Sequence, residues 1–278
     1  MSIAYYNGDF CDFSQVRIPL SDRCVFFGDG VYDAAIGKNG RIYLEKEHLD
    51  RFFANARKMG IPIKMSREEL SSLMSQLISK NGFQEYFIYL QLTRFSEERT
   101  HSYPDTEKSN LLITVKEHTL PNPDKELSLI TVPDVRYSMC DVKTLNLLPA
   151  VLASRRACES GCDEAVFVRD GYVTECAHSN IHVIKDRILY THPNGKFILP
   201  GITRARLLYF CEKLGIVSRE VPFTPYELKE ADEVLVTSTT KLCLKAGKID
   251  EKNVGKYSSE VGKKLIFALR EDFFKKLC

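Results

Sequence analysis

Three segments of the chain repeat apolar residues at positions i, i+3, i+4 and i+7, the spacing that brings side chains onto one face of an α-helix. A fourth segment, near the end of the chain, places an apolar residue at every fourth position. Each pattern predicts a helix with one face against a core, and Asn81-Gly82 supplies a stop signal after the second. The apolar positions are Leu49, Phe52, Phe53 and Ala56; Leu70, Leu73, Met74 and Leu77; Leu207, Phe210, Cys211 and Leu214; and Val261, Leu265, Leu269 and Phe273.

Runs rich in β-branched and aromatic residues predict strands between these helices. The runs are YFIYLQLT from Tyr86, NLLITV from Asn110, SLITV from Ser128 and EVLVTSTT from Glu233. One hairpin is predicted to turn at Asp170-Gly171, a dipeptide typical of two-residue hairpins, and a second near Lys185-Asp186. The order of elements predicts a mixed α and β protein, without the strict strand-helix alternation of a doubly wound sheet.

The chain of 278 residues is too long for a single small core, which favours two domains. The polar segment EHTLPNPDKE, from Glu117 to Glu126, contains two prolines and interrupts the apolar pattern, as a linker between domains would. We therefore predict a small N-terminal domain of mixed α and β structure over residues 1–118, a linker over 119–125 and a larger C-terminal domain over 126–278.

The charge balance argues against a nucleic-acid partner or a role at an anionic lipid surface. The 39 basic and 37 acidic side chains nearly cancel, so no large field of one sign attracts such partners. The amino terminus, MSIAYYNGDF, lacks a basic segment followed by an apolar one, and no apolar run approaches the roughly 20 residues of a membrane span. We expect no membrane association.

Cysteine usage indicates a reducing compartment and no metal site. The nine cysteines form no C-x-x-C pair, and the closest pair, Cys158 and Cys162, has no histidine nearby to complete a metal site. We interpret them as reduced thiols and expect the protein in the cytoplasm.

One lysine stands in an unusually apolar context. Lys143 lies in YSMCDVKTLNLLPAV, where an amine would be partly desolvated and its charged form disfavoured. Such a lysine can form imines. The context alone does not distinguish it from an ordinary solvated lysine.

Six blocks of sequence are spread over nearly the whole chain. They are SDRCVFFGDGVYDA, HLDRFFANARKMGI, LTRFSEERTHSYP, VKTLNLLPAVLASRRACESGCDEAVFVRDGYVTECAHSN, LYTHPNGKFILPGITR and VLVTSTT. In content and in order, these blocks resemble the class IV aminotransferases. Among these fold-type-IV pyridoxal-phosphate enzymes, the D-amino-acid aminotransferases look closest. The family also contains branched-chain aminotransferases, aminodeoxychorismate lyases and amine transaminases selective for the R configuration.

The resemblance implies a catalytic role for Lys143 and Glu175. Lys143 would hold pyridoxal 5'-phosphate as a Schiff base and then act as general base and acid on the substrate. Glu175 would face the pyridine nitrogen and keep it protonated, which makes the ring an electron sink. Without the flanking VTE and SN, a solvated glutamate at a strand end would be the simpler interpretation.

The resemblance also implies where the cofactor phosphate binds. Arg51 would clamp the phosphate through its guanidinium fork. Ile202 and Thr203, after Gly201, would add backbone N–H groups at a helix start. The hydroxyl-rich turn with Ser238 and Thr239 would complete the cradle. Taken alone, GIT and TSTT are no more than a helix cap and a turn, so their order in the chain carries the argument.

Substrate binding is assigned by the resemblance to three side chains. In the D-amino-acid branch, an R-x-H pair, here Arg99 and His101, and an aromatic hydroxyl, here Tyr32, hold the substrate α-carboxylate. If the segment is extended, residues two apart point the same way, so Arg99 and His101 could meet one carboxylate. The alternative is that both are exposed loop residues.

The chain departs from the D-amino-acid branch at three places. Cys176-Ala177-His178 replaces a small hydroxyl run. The bulkier His178 could alter the substrate pocket, alter the phosphate side or fill space, and we favour the last of these. Asp33 stands where a glutamate is common, and the small Ala34-Ala35 that follow could widen the side-chain pocket. The sequence TEC also resembles aminodeoxychorismate lyases, although VKTLNLL is nearer the aminotransferase form.

The resulting hypothesis is a ping-pong transamination between a D-amino acid, of the D-alanine or D-glutamate type, and a 2-oxo acid such as 2-oxoglutarate or pyruvate. The alternatives are an aminodeoxychorismate lyase, another class IV aminotransferase of the branched-chain or R-amine type, and a catalytically silent relative that only binds small molecules. The resemblance further implies a two-domain protomer with a barrel-like sheet in the larger domain, the cofactor between the domains, and a homodimer.

Overall fold

The computed structural model of the protein describes residues 2–95, 98–103, 105, 107–255 and 260–278. The chain divides into two compact units. The first comprises Met1–Thr119, Val142–Asn146 and Lys276–Cys278, and the second comprises Leu120–Asp141 and Leu147–Lys275. The C-terminal domain was predicted as one uninterrupted stretch, whereas the short segment Val142–Asn146, which carries Lys143, packs with the first unit.

The first unit contains a six-stranded antiparallel sheet with the strand order β2-β1-β6-β5-β3-β4. Its strands are β1 (Ile3–Tyr6), β2 (Asp9–Asp12), β3 (Gly30–Lys38), β4 (Arg41–Ile42), β5 (Glu85–Arg94) and β6 (Ser109–Glu117). Its helices are α1 (Arg23–Phe27), α2 (Glu45–Lys58) and α3 (Arg67–Asn81).

The core of the first unit forms where α2 and α3 bury their apolar stripes against alternate side chains of the sheet. Strand β5 buries every second residue along most of its length, as expected of a strand with one covered face. The predicted stripes of both helices lie in this core, with Phe53 at its margin. Helix α3 is bounded by a capping box between Ser66 and Glu69 and by Gly82, whose φ of 68° is left-handed. The predicted helix stop is confirmed.

The second unit contains a nine-stranded mixed sheet with the strand order β12-β11-β10-β13-β14-β7-β8-β9, in which β15 also pairs with β14. Its strands are β7 (Leu127–Pro133), β8 (Glu164–Arg169), β9 (Tyr172–Cys176), β10 (Asn180–Lys185), β11 (Ile188–Thr191), β12 (Ser218–Glu220), β13 (Glu233–Ser238), β14 (Leu242–Ile249) and β15 (Lys252–Asn253). The helices in this part of the chain are α4 (Leu148–Glu159), α5 (Ile202–Lys213), α6 (Pro225–Lys229) and α7 (Glu260–Leu277).

This sheet has to curl because a short connection joins two strands that lie far apart in the strand order. Strands β9 and β10 lie five strand positions apart in the sheet order, which would be about 24 Å in a flat sheet. The chain from Cys176 to Asn180 can span only about 14 Å. The Cys176 backbone N–H donates to the Ser179 carbonyl at 2.8 Å, so the connection is a tight turn. The predicted barrel-like sheet in the larger domain is confirmed.

Both predicted hairpins are confirmed. Strands β8 and β9 pair antiparallel around Asp170 and Gly171, and both turn residues have positive φ, of 52° and 81°. Strands β10 and β11 pair antiparallel around Asp186 and Arg187, one residue beyond the predicted position. A two-residue hairpin turn with positive φ matches the twist of the strands that it joins.

The segment with Lys143 lies alongside strand β3 and pairs with it through backbone hydrogen bonds. The Tyr32 N–H donates to the Lys143 carbonyl at 2.9 Å, and the Leu145 N–H donates to the Gly30 carbonyl at 3.1 Å. Val31 and Thr144 lie opposite each other as an isolated antiparallel bridge. These bonds explain why five residues from the middle of the chain belong to the first unit.

Gly30 makes this close approach possible. A Cβ atom at Gly30 would lie 2.8 Å from the Leu92 carbonyl oxygen and 2.6 Å from Leu145 Cδ1. We expect Gly30→Ala to lower the free energy of unfolding by about 1–3 kcal/mol, because a backbone atom must shift to admit the methyl group. Urea denaturation followed by circular dichroism measures the change. Glu117→Ala, at an exposed position of β6, should stay within about 0.5 kcal/mol of the parent, and equal stability of all three proteins would contradict the prediction.

Candidate active site

Lys143 is half-buried between two buried neighbours, Val142 and Thr144. Its Nζ lies 4.2 Å from the centroid of the Tyr32 ring. The Tyr32 ring in turn packs against Tyr89, with 5.4 Å between ring centroids. Two predicted site residues from separate sequence blocks therefore lie together in the first unit.

Arg51 is held in a buried charged cluster on the same unit. Asp33 is 1% exposed. Its carboxylate accepts hydrogen bonds from Arg51 Nε at 2.8 Å and Arg51 Nη2 at 2.9 Å, and it lies 2.8 Å from His48 Nδ1. Arg51 and His48 come from adjacent turns of α2, so the helix presents both to one carboxylate. Asp33 thereby fixes the orientation of the Arg51 fork.

The electrostatics of this cluster favour an ionised Asp33 and a neutral His48. Burial by itself raises the pKa of Asp33, but Arg51 and His48 outweigh it and hold that pKa well below its ordinary value. Burial lowers the pKa of His48, and the positive charges of Arg51 and Lys143 lower it further, against the opposing effect of Asp33.

Glu175 lies in the second unit, where its carboxylate is held from several sides. The residue is 6% exposed. Arg136 Nη1 donates to Oε1 at 2.5 Å, and Oε2 accepts from Asn180 Nδ2 at 3.2 Å and from the Leu199 N–H at 3.0 Å. Donors on both oxygens fix the carboxylate in one orientation.

Arg136 is itself buried and fixed, and sequence reasoning missed it. Its guanidinium lies 4.3 Å from the centroid of the Phe167 ring and bonds Asp134 through Nε at 2.9 Å and Nη2 at 3.0 Å. Burial lowers the pKa of Arg136, but Asp134 and Glu175 outweigh this and raise it above its ordinary value. No spacing in the sequence connects Arg136 with Glu175, because the contact forms only when β9 folds beside the segment after β7.

The start of α5 has the features of an anion-binding site. Gly201 is the N-cap and contributes no side-chain cap, and the first helical bond runs from the Ala205 N–H to the Gly201 carbonyl. The N–H groups of Ile202 and Thr203 therefore have no partner inside the helix, and the helix dipole favours negative charge there. Both residues are buried.

Asn180 connects this helix start with Glu175 and with the hydroxyl-rich turn. A Cβ atom at Gly201 would lie 1.9 Å from Asn180 Oδ1, so only glycine leaves room for the amide that bonds Glu175. Asn180 also pairs with Thr237 across β10 and β13. The half-buried Ser238 and Thr239 follow Thr237 directly, so they lie at the same edge of the sheet.

Arg99 and His101 are exposed and lie against one aromatic ring. The Arg99 guanidinium is 5.2 Å and the His101 ring 5.4 Å from the centroid of Phe27. Within the described residues of one chain, neither shares a hydrogen bond or ring contact with Tyr32, which contacts Lys143 and Tyr89. Arg99 and His101 therefore lie together at the Phe27 ring, whereas Tyr32 lies beside Lys143.

His178 does not fill space in the core, contrary to expectation. Its side chain is 53% exposed. Its backbone N–H donates to Glu164 Oε1 at 2.9 Å, and its ring nitrogen Nδ1 lies 3.1 Å from the same oxygen. The fully buried Glu164 carboxylate also accepts from Ser179 and Lys241. His178 is therefore part of a polar cluster, because a buried carboxylate needs donors.

Comparisons with known proteins match this chain to one family and one fold. The family described as "Amino-transferase class IV" matches residues 30–249. The chain is similar to a D-alanine aminotransferase of Bacillus licheniformis, 38% identical over 256 residues that cover 90% of this chain and 89% of the relative. It is also similar to a D-alanine aminotransferase of Listeria monocytogenes, 38% identical over 239 residues that cover 84% and 83% of the two chains.

Among solved structures, the fold is similar to the branched-chain aminotransferase of the thermophilic archaeon Thermoproteus uzoniensis with norvaline. The TM-score is 0.91, the identity is 21%, and the match covers 99% of this chain and 96% of the other. At this identity the match reports the fold alone.

The chain belongs to the class IV aminotransferases, enzymes that depend on pyridoxal phosphate. This confirms the family, the fold class, the enzyme class and the cofactor that the sequence predicted. Over the part of the chain that the structure describes, no helix is both long and apolar enough to cross a membrane.

The Asp33 cluster yields a pH-dependent prediction. Because the folded pKa of Asp33 is depressed, its contribution to stability is complete above the ordinary carboxyl pKa of about 3.9 and is lost as the pH falls through the folded value. We expect Asp33→Asn to lower the free energy of unfolding by about 3 kcal/mol at pH 7, since it leaves buried Arg51 without its carboxylate. This difference should shrink below about pH 4.

Urea denaturation between pH 7 and pH 3 measures this difference. Asp50→Asn is the matched control on α2, because Asp50 is 41% exposed and pairs with Lys46 and Arg67 at the surface. It should cost much less than Asp33→Asn, because exposed ion pairs contribute little to stability. A cost for Asp33→Asn that matches the control, or that stays constant at every pH, would show that the buried pair does not stabilise the fold.

Proposed function

We propose that this protein transfers the amino group of a D-amino acid to a 2-oxo acid, with pyridoxal 5'-phosphate bound through Lys143. The observation that carries the proposal is the 38% identity to a D-alanine aminotransferase over nine-tenths of the chain. The R-x-H pair of that branch is present as Arg99 and His101. D-Alanine and D-glutamate are the amino donors to test first, with pyruvate and 2-oxoglutarate as acceptors.

The residues present fit the cofactor. Glu175 is a buried carboxylate whose donors orient it for the pyridine nitrogen. The uncapped N–H groups of Ile202 and Thr203 suit a phosphate dianion. We assign Arg51 and the hydroxyls of Ser238 and Thr239 to the same phosphate. When bound, pyridoxal phosphate supplies an electron sink that stabilises negative charge at the substrate Cα.

Lys143 is the residue that we assign to covalent cofactor binding and to proton transfer. Its Nζ would hold the cofactor covalently and, once displaced by the substrate amine, remove the proton from the substrate Cα. The Tyr32 ring beside Nζ limits where the amine can move. Glu175, fixed by Arg136, would hold a proton on the ring nitrogen.

The substrate α-carboxylate would be held by Arg99, His101 and Tyr32. A guanidinium and an imidazole against the same Phe27 ring offer donors two residues apart in the chain. Holding the carboxylate on one side of the cofactor decides which Cα–H bond meets Lys143, and this selects the D-configuration.

A half-reaction experiment tests the proposal directly. Purified enzyme loaded with pyridoxal phosphate is mixed with D-alanine, L-alanine, D-glutamate or L-glutamate, without an acceptor, and the cofactor absorbance is followed. We expect a stoichiometric spectral change with the D-amino acids that 2-oxoglutarate reverses. Lys143→Ala should lower the rate by at least about 10³-fold, and borohydride reduction should label the Lys143 peptide of the parent alone.

The outcomes separate the candidate functions. Reaction with only the L-amino acids would reject the D-specific assignment within the same family. Catalytic release of pyruvate from aminodeoxychorismate, with no amino acceptor present, would indicate the lyase. A borohydride label on another residue would end the Lys143 assignment.

We further propose that the protein is a homodimer and that it resides in the cytoplasm. Helix α4 exposes three large apolar side chains at helical spacing, with Leu148 67%, Val151 58% and Leu152 61% exposed. Such a patch is typical of a surface that another chain covers. All nine cysteines are free thiols, as a reducing compartment requires.

Sedimentation equilibrium should give a mass about twice the 31.8 kDa of one chain. Leu152→Glu should shift the equilibrium toward the monomer, because a buried charge opposes association. Phe267→Glu, which replaces a 66% exposed residue on α7, is the control and should leave the mass unchanged. A monomeric parent, or an equal effect of both variants, would reject the dimer or its assignment to α4.

A further inference from the structure

A buried ionic cluster underlies the exposed segment that carries Arg99 and His101. Arg23 and Arg94 are 4% and 3% exposed. Both share the carboxylate of Asp29, with Arg23 Nε at 2.7 Å and Arg94 Nε at 3.0 Å from Oδ2. Two nearly buried arginines around one carboxylate are costly to desolvate, so their remaining donors need partners.

The remaining donors of Arg23 go to the backbone of the substrate segment. Nη1 donates to the Thr100 carbonyl at 2.6 Å, and Nη2 lies 3.3 Å from the His101 carbonyl. The planar guanidinium therefore joins Asp29 to two consecutive peptide groups. A rigid fork of this kind fixes position in a way that a single ammonium cannot.

Arg23 also contacts the ring on which both substrate side chains lie. Its guanidinium is 4.6 Å from the centroid of Phe27, the ring that Arg99 and His101 approach. Arg23 thus contacts the segment in two ways, through hydrogen bonds to the backbone of Thr100 and His101 and through the Phe27 ring.

Arg94 holds the other side of the cluster. Its Nη1 and Nη2 donate to the carbonyls of Gly60 and Met59, at 2.7 Å and 2.6 Å, just after α2. Its guanidinium lies 3.7 Å from the centroid of Tyr103, two residues beyond His101. Asp29 therefore links the substrate segment to the end of a core helix.

We propose that Arg23 is a positioning residue for substrate binding, which fixes the backbone at Thr100 and His101 so that the Arg99 and His101 side chains meet the substrate α-carboxylate. The inference rests on the proposed function, which assigns that carboxylate to this pair. Arg23 itself need not touch the substrate. A residue of this kind controls carboxylate affinity without taking part in proton transfer.

The test is a double-mutant cycle in the holoenzyme, with Arg23→Lys, Arg99→Ala and the double variant. Arg23→Lys keeps the charge beside Asp29 but loses the fork to the two carbonyls. We expect kcat/KM for D-alanine to fall between about tenfold and a hundredfold, mainly through KM, because small displacements of binding groups weaken productive binding. In the Arg99→Ala background the same change should have a clearly smaller effect, because only the part that acts through His101 remains.

Two further measurements separate positioning from general destabilisation. The absorbance spectrum of the bound cofactor and the midpoint of urea unfolding are recorded for every variant. Arg206→Lys is the control, since Arg206, on α5, forms a bidentate pair with Asp272, and it should leave KM for D-alanine unchanged.

The outcomes are distinct. If the parent does not react with D-alanine, the proposed function fails. If the parent reacts but Arg23→Lys matches it, or if the effects of Arg23→Lys and Arg99→Ala are fully additive, only the positioning role fails. If Arg206→Lys lowers kcat/KM for D-alanine as much as Arg23→Lys does, the effect comes from general destabilisation and the inference is wrong.

Discussion

Two backbone hydrogen bonds tie the lysine segment to the edge of strand β3, and the arrangement of the first unit's site residues depends on them. They join Tyr32 to Lys143 and Leu145 to Gly30. Backbone bonds fix the start of the lysine side chain while leaving its amine available for chemistry. Gly30 permits the approach, because any larger residue would meet the Leu92 carbonyl. The constraint acts on the backbone, so it is independent of the substrate.

Three carboxylates that fix groups of the site are each paired with an arginine. The pairs are Asp33 with Arg51, Asp29 with Arg23, and Glu175 with Arg136. An isolated buried charge would cost several kcal/mol, whereas a paired one is held in a single orientation. Replacing both partners of such a pair by apolar residues often costs little stability, whereas removing one partner leaves a buried charge and is costly. Their effect here is to fix the groups that face the cofactor and the substrate.

In the second unit, the side-chain amide of Asn180 connects three parts of the site. Asn180 bonds Glu175, pairs with Thr237 at the end of β13, and lies where a side chain on residue 201 would otherwise be. The carboxylate, the helix start and the hydroxyl-rich turn therefore meet at one residue. A change at any of the three would be transmitted to the other two through this contact.

The sequence by itself determined helices α2, α3, α5 and α7, strands β5, β6, β7 and β13, both hairpins, the family and the cofactor. Local periodicity and turn chemistry decide these elements, and the six ordered blocks carry the resemblance. Only the tertiary structure decided that Lys143 joins the first unit, that Arg136 holds Glu175, that His178 bonds Glu164, and that Arg23 lies beneath Arg99 and His101. These contacts join residues far apart in the chain, and no spacing pattern encodes them. They arise because buried polar groups must find partners wherever the folded backbone brings them together.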